Sequence, residues 1–274
     1  MFTPTAHSSA REKSHSPRFR RAFIAPMLLT GFFLTGCMVD LNIGLEGSEP
    51  ITEIRDMASF SSVRIGPSMR VSILSGSRST VSVTTEAGQI ENLSTYCHNG
   101  QLDLDWTQNG YYNPVAEIVI TSPYLTRITH QGDEDIDVDV GSRFDDLSLE
   151  LNGSGDMTFH GDLRRLTATV NGSGTMELFG QTRDLRAEVY GSGRLYADPM
   201  PAYEVDAVMA GSGEITLALE NAASLDLTLS GSGQVEWWGN PGLLRYRLLG
   251  SGKVFENRVL LKKGAGAPRR PASL

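Results

Sequence analysis

A chain of 274 residues, 40% hydrophobic and 20% charged, has the composition of a soluble globular protein and excludes collagen-like and wholly disordered classes. Its 2 cysteines exclude a disulfide-stapled scaffold, and its net charge of -8 argues against nucleic acid as a partner, because phosphate binding needs a clustered excess of Lys and Arg. The outlier is glycine, with 29 copies.

In chain order, residues 1–22 carry Arg11, Lys13, Arg18, Arg20 and Arg21 against a single acid, Glu12, and an apolar run from Phe23 to Leu34 follows at once. That order is the order of an export signal. The run is shorter than the roughly 20 apolar residues a spanning helix needs, and Pro26 and Gly31 interrupt it. At its end, Leu34-Thr35-Gly36-Cys37 resembles the lipobox of bacterial lipoproteins. The resemblance implies that residues 1–36 are a signal peptide, that Cys37 becomes diacylated on its thiol and acylated, for example by palmitate, on its new N-terminus, and that the protein is a lipoprotein of the cell envelope. Two or more acyl chains give stable anchoring where one does not. Met38 and Val39, with no Asp after the cysteine, imply delivery to the outer membrane, and residues 37–54 read as the lipidated cysteine and a linker. Without the leader the chain has 19 basic and 31 acidic groups, net -12. Cys97 is then its only unlipidated thiol. Its neighbour His98 does not make a catalytic pair of it, because adjacency in sequence does not orient a base onto a nucleophile.

Alternating apolar runs at residues 60–65, 69–73, 80–83, 102–106 and 115–120 predict strands joined by irregular loops, and residues 89–96 predict a short helix. From residue 153 the pattern becomes regular. Gly-Ser-Gly triplets supply Gly153 and Gly155, Gly172 and Gly174, Gly191 and Gly193, Gly211 and Gly213, Gly231 and Gly233, and Gly250 and Gly252, at spacings of 19 or 20 residues. A degenerate copy, Gly132-Asp133-Glu134, lies 21 residues upstream. A fixed period near 20 residues marks a solenoid in which each repeat stacks on its neighbours.

The flanks decide the type of solenoid. Six, four and two residues before each triplet, and four and six after its first glycine, stand Leu, Val, Ala, Met, Ile, Phe, Tyr or Trp, with Glu256 the only charged exception. Apolar residues at every second position on both sides of a glycine pair mean strands that each bury one face. The coil therefore reads strand, Gly-Ser-Gly corner, strand, return loop. Glycine suits the corner because it reaches positive φ and lets successive coils approach without a Cβ. The expected fold is all-β: one right-handed parallel β-helix, or β-solenoid, of about 19–21 residues per coil, with Ser154 to Ser251 aligned as a hydroxyl ladder. The upstream runs are expected to start the stack and cap one end. Glu256, Asn257 and Arg258 are expected to stop it, leaving 259–274 as a disordered basic tail holding Lys262, Lys263, Arg269 and Arg270.

The paired runs Phe60-Ser61-Ser62-Val63-Arg64-Ile65 and Met69-Arg70-Val71-Ser72-Ile73, the six triplets in register and the closing Trp238-Gly239-Asn240-Pro241 resemble the putative auto-transporter adhesin head GIN domain family over residues 55–258. The resemblance implies an envelope β-solenoid and carries over no catalytic residue.

Enzymatic chemistry is weakly written. Five residues before each triplet the outward column reads Ser148, Thr167, Arg186, Asp206, Asp226 and Arg245. Asp206 and Asp226, one coil apart, approach the carboxylate spacing of retaining glycosidases, but the flanking arginines favour a surface charge ladder. Systematic calcium binding is disfavoured, because the residue after each triplet runs Asp156, Thr175, Arg194, Glu214, Gln234, Lys253 with no recurring acid. Asp133, Asp135, Asp137 and Asp139 form an alternating row that reads as a solvated face or a single cation site. His98, His130 and His160 have no metal-ligand spacing; no metal and no cofactor is expected. Tyr196, Trp238 and Phe255 fall in outward columns near the C-terminal end and form a candidate patch for sugar stacking or protein contact. The expected function is a lipid-anchored, non-catalytic adhesin or binding module. Its partners are a membrane through the lipid anchor, and a surface glycan, a protein ligand or a second copy. A structural envelope component ranks second and a β-helical polysaccharide enzyme third.

Overall fold

The computed structural model describes residues 49–107, 114–142 and 144–263. The leader, the lipobox residues Leu34, Thr35, Gly36 and Cys37, and the segment from 264 onward lie outside them. Strands come in the order β1 (Pro50–Asp56), β2 (Ser62–Ile65), β3 (Met69–Ser75), β4 (Thr80–Glu86), β5 (Leu93–His98), β6 (Gln101–Trp106), β7 (Ala116–Ser122), β8 (Arg127–His130), β9 (Ile136–Gly141) and β10 (Asp146–Leu151). Then come β11 (Asp156–Gly172), β12 (Thr175–Gly191), β13 (Arg194–Ala197), β14 (Ala202–Gly211), β15 (Glu214–Ala218), β16 (Ser224–Gly231), β17 (Gln234–Trp238), β18 (Leu243–Gly250), β19 (Lys253–Glu256) and β20 (Val259–Lys263).

These strands form the predicted β-solenoid as a single domain, with two faces. One face stacks β6, β2, β8, β10, the second halves of β11 and β12, β14, β16 and β18, all parallel. The other stacks β7, β3, β9, the first halves of β11 and β12, β13, β15, β17 and β19, also parallel. The side chains predicted to point inward meet between the faces and are buried, except Leu244, Tyr246 and Glu256, which are half-buried on the last coil. Burying each Leu, Val or Met of such a column contributes about 1.5–3 kcal/mol, so every added coil extends one continuous core.

The Gly-Ser-Gly corners turn from one face to the other. Gly191 has φ +124°, and a Cβ placed on it would lie 2.6 Å from the carbonyl oxygen of Gly172, one coil earlier. The clash runs one way along the stack: the Cβ of each later corner would strike the preceding coil's carbonyl. Gly155, stacked on the Glu134 carbonyl, cannot carry a side chain. At that degenerate corner His130 is fully buried, and its Nε2 donates to the Glu134 carbonyl at 2.8 Å. Among the corner serines, Ser212 and Ser232 are joined by a hydroxyl–hydroxyl bond of 3.1 Å.

The ends depart from the expectation in four respects. First, coil order is not chain order: β2 and β3 lie between the β6–β7 coil and the β8–β9 coil. Second, the helix expected over 89–96 is one 3-10 turn, Ile90–Asn92, followed by β5, which pairs antiparallel with β6. Burial of Ile90 and Leu93 holds the turn against the core while Thr95, Tyr96 and Cys97 favour a strand. Asn99-Gly100, both at positive φ, closes that hairpin with the turn its sequence favours. Third, residues 50–54 of the expected linker belong to a strand, because β1 adds antiparallel to β4, itself antiparallel to β7. The Arg55 guanidinium ties this cap together by donating to the carbonyls of Leu93 at 2.8 Å and Ile90 at 3.1 Å. Fourth, the parallel stack ends at Glu256 as expected, but the residues after it continue into a strand. Asn257 and Arg258, at φ +48° and +66°, form a two-residue turn into β20, which runs back along β19. Residues 259–263 thus cap one face and are not part of a tail.

Candidate binding groove

Tyr196, Thr216, Glu236 and Phe255 occupy one outward column across β13, β15, β17 and β19, in direct register. Ala218 and Trp238 occupy the next. Alternation fixes this, since their chain neighbours Leu195, Leu217 and Trp237 point into the core and are buried. After Ala197 the chain leaves the sheet at Asp198-Pro199, and this departure raises a wall beside the column. The result is a groove of about 410 Å³ with Tyr196 and Trp238 in its lining and Arg258 at the hairpin end. Phe255 continues the column next to Glu236 but does not line the groove, so the three predicted aromatics form a pair and an outlier.

Periodicity does not single out Glu177, Asp198, Pro199, Thr216 or Glu236 of the groove lining. Thr216 is only 5% exposed although it points outward, and its hydroxyl donates to Asp198 Oδ1 at 2.7 Å, pinning the wall to the floor. The Tyr196 hydroxyl reaches Glu214 Oε2 at 3.4 Å; partial burial, reinforced by the Glu214 charge, pushes its pKa above the ordinary tyrosine value. Glu177, Asp198, Glu214 and Glu236 all line the groove, and none makes an ion pair among the described residues. Elsewhere carboxylates are commonly paired across strands, as Asp103 is with Arg64 at 2.6 Å and Asp146 with Arg164 at 2.7 Å. The groove thus presents flat aromatic faces between carboxylates that, beyond the Thr216–Asp198 and Tyr196–Glu214 bonds, keep further acceptor capacity, an arrangement that can stack on an apolar ring face while accepting bonds from hydroxyls.

The other candidates resolve differently. Asp206 and Asp226 are neighbours in register, and Arg186 and Arg245 bracket them at 2.8 Å and 3.8 Å. Arg186 also binds Glu188 at 2.6 Å, and that bond raises its pKa further. This is a surface charge ladder. Of the acidic row, Asp137 and Asp139 point outward from β9, while Asp133 and Asp135 belong to the corner before it. No cluster of three or more metal-ligating side chains occurs among the described residues. Cys97 is half-buried, its Sγ 3.9 Å from the Ala58 carbonyl, and His98 lies on the opposite side of β5 against Tyr96. No described helix is long and apolar enough to cross a membrane.

Solved structures with this fold include a "putative adhesin" from Bacteroides fragilis NCTC 9343, 19% identical, covering 76% of this chain and 97% of its own at a TM-score of 0.68. A "putative lipid binding protein" from Parabacteroides distasonis ATCC 8503 is 20% identical over 77% of this chain and 97% of its own, with a TM-score of 0.62. A "putative adhesin" from Parabacteroides merdae ATCC 43184 is 16% identical over 77% and 97%, at 0.60. At these identities the likeness concerns the fold. No curated protein matches the chain. The family model does: it aligns with residues 59–241, two thirds of the sequence and nearly all of the solenoid, and the chain belongs to the family described as "Putative auto-transporter adhesin, head GIN domain".

Proposed function

We propose that the protein is a non-catalytic binding module of the cell envelope, anchored through acylated Cys37, that holds a surface glycan or glycosylated partner in the Tyr196–Trp238 groove. The observation that carries this reading is the groove itself, with two aromatic side chains among four carboxylates that make no ion pair among the described residues. Carboxylates accept hydrogen bonds from sugar hydroxyls, and their charge selects against sulfated or uronic-acid polymers. Family membership agrees with a binding role.

The test is a glycan array probed with residues 38–274 and with the Trp238→Ala variant. Neutral or amino sugars should be bound by the parent and lost by the variant at unchanged melting temperature. Binding that survives the substitution, or confinement of all signal to acidic glycans, would refute the groove. Release of reducing sugar by the parent would favour the enzymatic reading, and loss of that activity in Asp206→Asn would move the site to the charge ladder.

A further inference from the structure

Charge is segregated along the stack. Residues 49–242 hold 11 basic and 28 acidic side chains, net -17, whereas residues 243–263, the last described stretch, hold six basic and one acidic, net +5. In a globular fold such a bias in sequence could be dispersed over the surface. In a solenoid it cannot, because each stretch of chain occupies its own level, and β18, β19 and β20 are the last strands of their faces.

The basic end is also the apolar end. Leu249 on β18 is 53% exposed, and Val259 and Leu261 on β20 are 64% and 40% exposed. Around them Arg247, Lys253 and Arg258 are exposed and make no ion pair among the described residues. Of the nearby acids, Asp226 already faces Arg245 at 3.8 Å, and Glu236 and Glu256 are half-buried. Cations framing exposed aliphatic side chains complement a phosphate-rich headgroup layer over hydrocarbon, where charge attracts and Leu or Val inserts.

We infer that the C-terminal end of the solenoid, β18 to β20, docks end-on onto an anionic lipid bilayer. The acidic body does not oppose this. β1 and β20 are about 50 Å apart at strand spacing, and charges more than about 8 Å from the surface are screened at physiological salt. The same segregation orients the molecule, since only this end is attracted. Arg258 also stands at the hairpin end of the groove, but Arg247, Leu249, Lys253, Val259 and Leu261 do not line it, and the docking does not depend on what the groove binds.

The probe is residues 38–274, which carry neither an acyl group nor the basic and apolar leader, sedimented with vesicles of phosphatidylcholine alone or mixed with phosphatidylglycerol. Binding should require phosphatidylglycerol and weaken with added salt. Arg247→Glu with Lys253→Glu should weaken it by about 25-fold or more, at roughly fivefold per cation near the surface, with no change in melting temperature; Arg247→Ala with Lys253→Ala provides a gentler version. Val259→Ser should lower binding while leaving its salt dependence intact. Equal binding to neutral vesicles, or binding unaffected by the charge reversals, would overturn the inference. So would binding to a soluble sulfated polysaccharide as tight as binding to the mixed vesicles, because the exposed aliphatic residues would then contribute nothing.

Discussion

Replacing Gly191 with Ala tests the corner that makes the stack possible. The new Cβ would sit 2.6 Å from the Gly172 carbonyl oxygen, against an ordinary contact of 3.4–4 Å, so the two coils must part by close to an ångström at the corner. That carbonyl also accepts the Ser192 N–H at 2.9 Å, and the Gly191 carbonyl accepts the Ser212 N–H at 2.8 Å, so parting stretches the bonds that join three coils. The backbone at φ +124° adds its own penalty for a residue with a side chain. Strain of about 1–3 kcal/mol and one or two weakened hydrogen bonds at about 1 kcal/mol each give a loss of roughly 2–4 kcal/mol. For a domain of this size that lowers the midpoint by about 5–15 °C. Thermal unfolding followed by circular dichroism reads it directly. Gly88→Ala, where an added Cβ meets nothing within 4 Å, is the control and should move the midpoint by no more than about 0.5 kcal/mol equivalent. If Gly191→Ala melts with the parent, the corner is not tight and the account of the glycine repeat is wrong.

His130 gives a second prediction. Burial is the main cause that holds its imidazole below the ordinary histidine pKa, so the folded state keeps it neutral while the unfolded chain takes up a proton near pH 6.5. Its contribution to stability is therefore full above that value and lost as pH falls from there through the folded-state pKa. Urea midpoints should decline between pH 7 and pH 5 in the parent and decline less in His130→Gln; identical profiles would refute the assignment. After a high-salt wash, which releases charge-mediated docking, Cys37→Ala should move the protein from the membrane fraction to the soluble fraction and abolish incorporation of labelled palmitate, and an unchanged distribution under that wash would remove the lipid anchor from the account.

Much of the solenoid is legible because burial on two faces forces period-two alternation and close stacking forces glycine, and both leave marks on single residues. Leu147, Val170, Met176 and Phe159 declare their direction in the sequence, and so does the exception Glu256, half-buried where the last coil runs out of neighbours. Strand direction and partner leave no comparable mark. β4 alternates as the parallel strands do, yet runs antiparallel, and nothing in the spacing places the β2–β3 coil between coils that come later in the chain. Asn99-Gly100 was a readable hairpin signal for β5–β6; Asn257-Arg258 was not, since Arg is an unusual residue at positive φ. The groove was half legible. Tyr196 and Trp238 follow from the outward columns, whereas the Asp198 wall and buried Thr216 depend on where the chain leaves the sheet after Ala197, which periodicity does not encode.

The central claim, that the outer sheet face binds a cell-surface ligand through the Tyr196–Trp238 groove, is tested most directly by measuring equilibrium binding of fluorescent residues 38–274 to intact cells beside the Trp238→Ala variant. The account predicts saturable binding by the parent and a loss of about tenfold or more in affinity for the variant, the order of stacking energy one aromatic supplies, with both proteins melting at the same temperature. Equal affinities for the two proteins would contradict it.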